Sequence, residues 1–133
     1  MNNVTATATG GNNNYGVENE SSSPSMTNVT ATGTGGTNNY GVYNFSLSSP
    51  SMTNVTATGT GGINSYGVYN VSLSSPSIRN SPITGSTNSI VNSGSSSAQV
   101  ADTMLDGSVV VGGGLACVGV YTTAFVALDA NCG

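Results

Sequence analysis

Charge is what this chain has least of. Its 133 residues carry one basic side chain, Arg79, and five acidic ones, Glu18, Glu20, Asp102, Asp106 and Asp129, for a net charge of −4. Lysine, histidine and tryptophan are absent. A chain without a basic surface cannot neutralise phosphates, so no nucleic-acid partner is expected, and no anionic membrane surface. No window of about 18 apolar residues occurs, so membrane insertion is not expected either. Without histidine there is no nucleophile–His–acid arrangement and no side chain poised near neutral pH, which removes most general acid–base chemistry. Gly33-Thr34-Gly35-Gly36 is glycine-rich, but no lysine follows it and no helix begins there, so it is not a phosphate loop. No cofactor is expected. No secretory leader is visible, because Met1 opens directly into a repeat. The start is therefore trimmed, or the chain belongs to a longer product, or export is unconventional.

What is present is Ser, Thr, Asn, Gly and Val in a fixed order. Polar, weakly charged composition often marks disorder, but abundant Val and Thr suit strands and tight turns better than coil. Residues 26–51 read MTNVTATGTGGTNNYGVYNFSLSSPS, and residues 52–77 repeat them with changes only at Thr37/Ile63, Asn39/Ser65 and Phe45/Val71. Residues 1–25 are a looser copy, one residue shorter, and Ile78–Gly85 restarts the phrase. Val100–Gly107 aligns with the same opening, and Val118-Gly119-Val120-Tyr121 echoes Tyr66-Gly67-Val68-Tyr69. This gives about five rungs of about 26 residues, starting at Met1, Met26, Met52, Ile78 and Val100, with repeats over 1–99 and an irregular last rung and cap over 100–133.

A period this short rules out a propeller blade of about 40 residues, and no helical spacing of apolar residues accompanies it. Three β-prone runs alternate with Gly- and Pro-bearing corners: Asn-Val-Thr-Ala-Thr, Tyr-Gly-Val-Tyr-Asn and Ser-Pro-Ser-Met-Thr. The expected fold is all-β, a right-handed single-stranded parallel β-helix. Strands about 4.8 Å apart then stack identical residues in columns. One apolar column is Met26, Met52, Ile78 and Val100. A second is Ala31, Ala57, Ile83 and Leu105. A third is Val42, Val68, Ile90 and Val120. Val29 and Val55 point inward beside Ala, with Thr30 and Thr56 outward, and Ser81 and Thr103 turn that column polar. Asn3, Asn28, Asn54, Asn80 and Asp102 share a corner column, and Asn44, Asn70 and Asn92 share another. Stacked amides can bond rung to rung and to corner backbone.

Cys117 and Cys132 are the only cysteines. An even count in this composition suits a disulfide and an oxidising compartment, the alternative being a reduced pair.

The phrases NVTATG, YGVYN and SPSMTN resemble the tandem repeats of bacterial right-handed parallel β-helix repeat proteins, relatives in fold of pectate lyases and phage tailspikes. The ending, TMLDG then CVGVY, F, LD and C, resembles the segment closing secreted members, including cyanobacterial ones. The resemblance covers nearly the whole chain and implies the fold and an extracellular or cell-surface location. Enzymes of that group carry acidic residues, often with Ca²⁺, and a basic residue on one sheet, which nothing here matches.

Weaker motifs remain. Glu18 and Glu20 share a strand face, as a carboxylate pair for glycoside hydrolysis would, but Tyr43 and Phe45 hold those positions in the next rung, which reads as solvated substitution. Asp102 and Asp106 are better explained by the Asn column and an Asp-Gly turn than by Ca²⁺. Six sequons, at Asn3, Asn19, Asn28, Asn44, Asn54 and Asn70, follow from the repeat. Tyr40, Tyr43, Tyr66 and Tyr69 form a row expected to stiffen the coil or make a contact, glycans included. The first rung has no covering element, so the expected partner is a copy of the chain, end to end. The expected function is an extracellular structural subunit of a fibre or surface layer, without catalysis. A surface adhesin or carbohydrate-binding β-helix is the alternative, and a polysaccharide lyase or hydrolase the minor one.

Overall fold

The computed structural model describes residues 1–108 and 114–133. Among them are twelve strands: β1 Asn2–Thr9, β2 Asn13–Glu20, β3 Ser25–Thr34, β4 Asn38–Phe45, β5 Ser51–Thr60, β6 Asn64–Asn70, β7 Ser77–Arg79, β8 Ile83–Asn92, β9 Ala98–Ala101, β10 Met104–Ser108, β11 Leu115–Val118 and β12 Tyr121–Thr122. Every ladder between named strands is parallel, and each joins a strand to its counterpart one repeat away: β1 to β3 to β5, β2 to β4 to β6, and β7 to β9 to β11. This is a parallel β-solenoid of about four turns, about 25 residues each. β9 and β10 form the fifth rung expected from the sequence, and β11 and β12 stack on them as a further, partial one, so the stretch read as a single irregular last rung is spread over two levels.

The three corners of a turn have different causes. The first lies inside β3, where Asn28 takes φ 52° and bends the strand onto a second face. Asn3, Asn54, Asn80 and Asp102 repeat that left-handed value at 54°, 53°, 48° and 48°. Asparagine tolerates this region better than other non-glycine residues, which is why one residue type fills the column. Gly35 and Gly61, at φ 79° and 82°, make the second corner. Ser46-Leu47 and Ser72-Leu73, all at positive φ, open the third corner ahead of Pro50 and Pro76. Gly33, two residues before Gly35, is a buried residue of β3 and not part of the second corner.

The interior is thin because two sheets meet backbone to backbone. A Cβ on Gly33 would collide with the Tyr40 carbonyl oxygen, and one on Gly41 with the Thr58 amide nitrogen. Around this seam run the apolar columns. Met26, Met52, Ile78 and Val100 lie in register and continue to Cys117. Ala31, Ala57, Ile83 and Leu105 lie in register, as do Val42, Val68 and Ile90.

Val120 is a correction. It is buried, but Tyr121 pairs with Met104 and its N–H donates to the Thr103 carbonyl at 3.1 Å. Val120 therefore lies over Thr103, in the column of Val29, Val55 and Ser81, and not with Val42. Val118 likewise pairs with Ala101, so the Val-Gly-Val-Tyr echo of the Tyr66 segment is a likeness of sequence, not of register. The corner that decides this is Gly119, at φ 64°, which follows Asp102 as the next left-handed residue of the Asn column.

The Cys117–Cys132 disulfide closes the C-terminal loop, with Cα atoms 5.6 Å apart across a separation of 15 residues. Changing both cysteines to serine is expected to cost about 3 kcal/mol, on the loop-entropy account, in chemical denaturation. An unchanged midpoint would show that the cap holds without the bridge.

Candidate functional site

Two features repeat down the stack and carry most of its polar and aromatic chemistry: ladders of side-chain amides and a tyrosine face.

The buried ladder runs through Asn19, Asn44, Asn70 and Asn92. Each Nδ2 donates to the next Oδ1, at 2.9, 2.8 and 2.8 Å. Asn19 is an added member, identified by its register with Asn44. Buried amides are costly unless bonded, and here each member supplies its neighbour's partner. A second interior ladder escaped sequence reading. Asn14 donates to Asn39 at 3.0 Å and Asn39 to the Ser65 hydroxyl at 3.4 Å, while each also caps its glycine corner through the backbone of Gly11, Gly36 or Gly62. Ser48, Ser74 and Ser96 form a third, their hydroxyls accepting from the backbone N–H of Ser22, Ser48 and Ser74. The signal for both was the fixed place of these residues in the repeat.

The Asn3 column faces solvent. Asn28 donates to Asn3, Asn54 to Asn28 and Asn80 to Asn54, at 3.0, 3.2 and 2.5 Å. The side-chain ladder stops at Asn80. Asp102 keeps the corner conformation but has no amide N–H to donate onto the Asn80 oxygen. Of the sequon asparagines, Asn19, Asn44 and Asn70 are buried, whereas Asn3, Asn28 and Asn54 are exposed.

On the sheet of β2, β4 and β6, the side chains of Tyr40, Tyr43, Tyr66 and Tyr69 come together, with Tyr15 as a fifth member. Tyr15 stacks on Tyr40 at 5.0 Å, Tyr43 on Tyr69 at 5.6 Å and Tyr66 on Tyr69 at 5.2 Å. Tyr40, at the centre, also meets Tyr43, Tyr66 and Tyr69. The rings are half-buried and fill one another's flanks, which adds about 0.5–1.5 kcal/mol per good pair beyond area burial. Burial, then the neighbouring phenols, pushes the Tyr40 pKa up to about 12. Tyr15, Tyr43 and Tyr66 are raised chiefly by burial.

The sign of the pH effect follows. A neutral phenol is favoured by the fold, so below about pH 10, the ordinary phenol value, the contribution is complete. Between there and about pH 12 the unfolded chain releases protons that the folded chain retains, and stability falls. The melting temperature is expected to drop across that window, and Tyr40→Phe to flatten the drop. A melting temperature independent of pH there would contradict the stacked face.

Glu18 and Glu20 are exposed and in register with Tyr43 and Phe45. Among the described residues, no three His, Cys, Asp or Glu side chains cluster as metal ligands would. The disulfide puts the folded chain in a non-reducing environment. No protein-family model, curated protein sequence or solved structure matches the chain.

Proposed function

We propose that the chain is an extracellular structural protein, a stiff β-solenoid subunit that associates with its own copies end to end into a fibre or surface layer, without catalysis. The observation behind this reading is the strand edge of the first rung. Among the described residues, strands β1 and β2 each pair on one side, with β3 and β4. An unpaired edge is a template for another strand. Within the chain, the equivalent edge of β3 takes β1 and that of β5 takes β3, each in register with a strand of the same repeat phrase. A second copy is therefore the occupant with the right chemistry. Contact between the first rung of one copy and the last turn of the next does not close, and so runs on as a filament. Low charge leaves little repulsion to oppose it. Kinship with secreted bacterial β-helix repeat proteins of the pectate-lyase-like group, cyanobacterial ones included, is part of the same reading and rests on the repeat phrases. Electron microscopy and light scattering of the purified chain test the proposal. Filaments or large oligomers are expected, and strictly monomeric particles at high concentration would sink it.

A second reading, surface adhesion through glycans, is favoured by one observation: the five-tyrosine face is half-exposed and continuous over three rungs. Aromatic platforms of this kind stack on sugar rings. A glycan array should then give hits that Tyr40→Ala abolishes. An array without hits removes this reading.

A further inference from the structure

We propose that the outer face of the sheet formed by β1, β3 and β5 is an ice-binding surface. The starting point is sequence. Each of these strands runs Val-Thr-Ala-Thr-Ala/Gly-Thr, so three threonines per strand fall on alternate positions. The ladders then align them. Thr5 pairs with Thr30 and Thr30 with Thr56; Thr7 with Thr32 and Thr32 with Thr58; Thr9 with Thr34 and Thr34 with Thr60. Nine threonines thus form a three-by-three grid, and Thr84, paired with Thr58, extends its central column.

The grid has two spacings. Neighbouring strands lie about 4.8 Å apart, and same-face residues along a parallel strand about 6.6 Å apart. Hydrogen-bonded water oxygens lie about 2.75 Å apart, and tetrahedral bonding then puts second neighbours at about 4.5 Å. The axial repeat of hexagonal ice, eight-thirds of the same bond, is about 7.3 Å. The protein grid therefore departs from that lattice by about 0.3 Å per step across strands and about 0.7 Å per step along them. The patch spans only two steps in each direction, so the errors stay below the oxygen–oxygen bond length.

Three further observations point to ordered water as the occupant. First, the hydroxyls are available. Among the described residues, the threonine hydroxyls that bond to protein are those of Thr87, Thr103 and Thr122, none of which belongs to the grid. Second, the grid contains no ionised group; the first carboxylate on this face is Asp106, beside Thr84 at its far edge. A protein partner or a substrate with phosphate or carboxylate would find no charge to recognise here. Third, the face is held rigid. Threonine is stiff at χ1, and Gly33 and Gly59 seat β3 and β5 directly against the Tyr40 and Tyr66 backbones. A rigid array of hydroxyls and methyls, periodic in two directions, complements a periodic solid of water better than an irregular macromolecule. The methyls restrict first-shell water while the hydroxyls anchor it. The proposal does not depend on end-to-end association.

The test uses the purified full chain, scored by thermal hysteresis, by inhibition of ice recrystallisation and by enrichment in a slowly grown ice hemisphere. The wild-type chain is expected to score in all three. The double variant Thr32→Tyr/Thr58→Tyr places bulk at the centre of the grid and should lower ice enrichment on the order of tenfold, equivalent to about 1.4 kcal/mol of affinity. Circular dichroism should show it folded, because both side chains point outward. Leu47→Asn, at an exposed corner away from the grid, should match wild type. No hysteresis and no ice enrichment by the wild-type chain overturns the proposal. So does a folded Thr32→Tyr/Thr58→Tyr variant as active as wild type.

Discussion

Gly41→Ala is expected to destabilise the fold by about 3–5 kcal/mol, enough to consume much of the stability of a domain this size. The added Cβ would fall on the Thr58 amide nitrogen and lie 2.6 Å from the Gly67 carbonyl oxygen and 2.8 Å from the Ala57 carbonyl carbon. All three are backbone atoms of the next rung, so none can swing aside as a side-chain tip would. Relief requires the two sheets to separate along their shared seam, which also disturbs the Ala and Val columns. Gly10→Ala is the matched comparison. Gly10 sits at φ +84° with nothing within 4 Å of the added carbon. It should cost only the left-handed conformational penalty, about 1–2 kcal/mol. Urea denaturation of the two variants separates crowding from conformation. Equal losses would show that the seam is looser than these distances require.

Asn44→Ala should cost about 3–5 kcal/mol, and Asn28→Ala only about 1 kcal/mol. Both residues are mid-ladder asparagines, each donating to one neighbour and accepting from another. They differ in surroundings. Asn44 is 0% exposed, so its loss strands the Asn19 amide and the Asn70 oxygen away from water. Each such group costs about 1–3 kcal/mol. Asn28 faces solvent, and water replaces its lost partners; what remains is the preference of its left-handed corner for asparagine. If the two variants unfold at the same urea concentration, burial is not what gives the inner ladder its weight.

How much of this was readable beforehand depends on how regular the chain is at each point. Over the first three rungs, two near-identical phrases fix which residues stack, and a parallel ladder offers no alternative register that keeps Met on Met, Ala on Ala and Val on Val. Those columns follow from sequence alone. At the C-terminal end the phrase degrades, and likeness of letters stops being a guide. Val118-Gly119-Val120-Tyr121 spells like Tyr66-Gly67-Val68-Tyr69 but stacks as Thr27-Asn28-Val29 does, because a left-handed corner must sit over a left-handed corner. Reading Gly119 as a corner residue in place of an asparagine would have put Val120 over Thr103. The adjacent pair Asn38-Asn39 poses a different difficulty. One faces out and one in, and composition cannot say which amide the core receives. The threonine grid was half visible: the outward position of Thr30 and Thr56 follows from alternation, but its two-dimensional extent needs the register of three strands at once.

The claim on which everything else rests is that identical residues of successive repeats stand directly over one another. Paired cysteines test it most directly. Thr32→Cys/Thr58→Cys places two outward thiols on in-register neighbours, with Cα atoms about 4.8 Å apart, within the range a disulfide spans. Thr7→Cys/Thr58→Cys places them two rungs apart, about 9.6 Å, beyond that range. After mild oxidation at low protein concentration, mass spectrometry of chymotryptic peptides should find the first pair bridged and the second free, with Cys117–Cys132 intact in both. A free Thr32→Cys/Thr58→Cys pair, or equal bridging of the two pairs, would contradict the stacked solenoid.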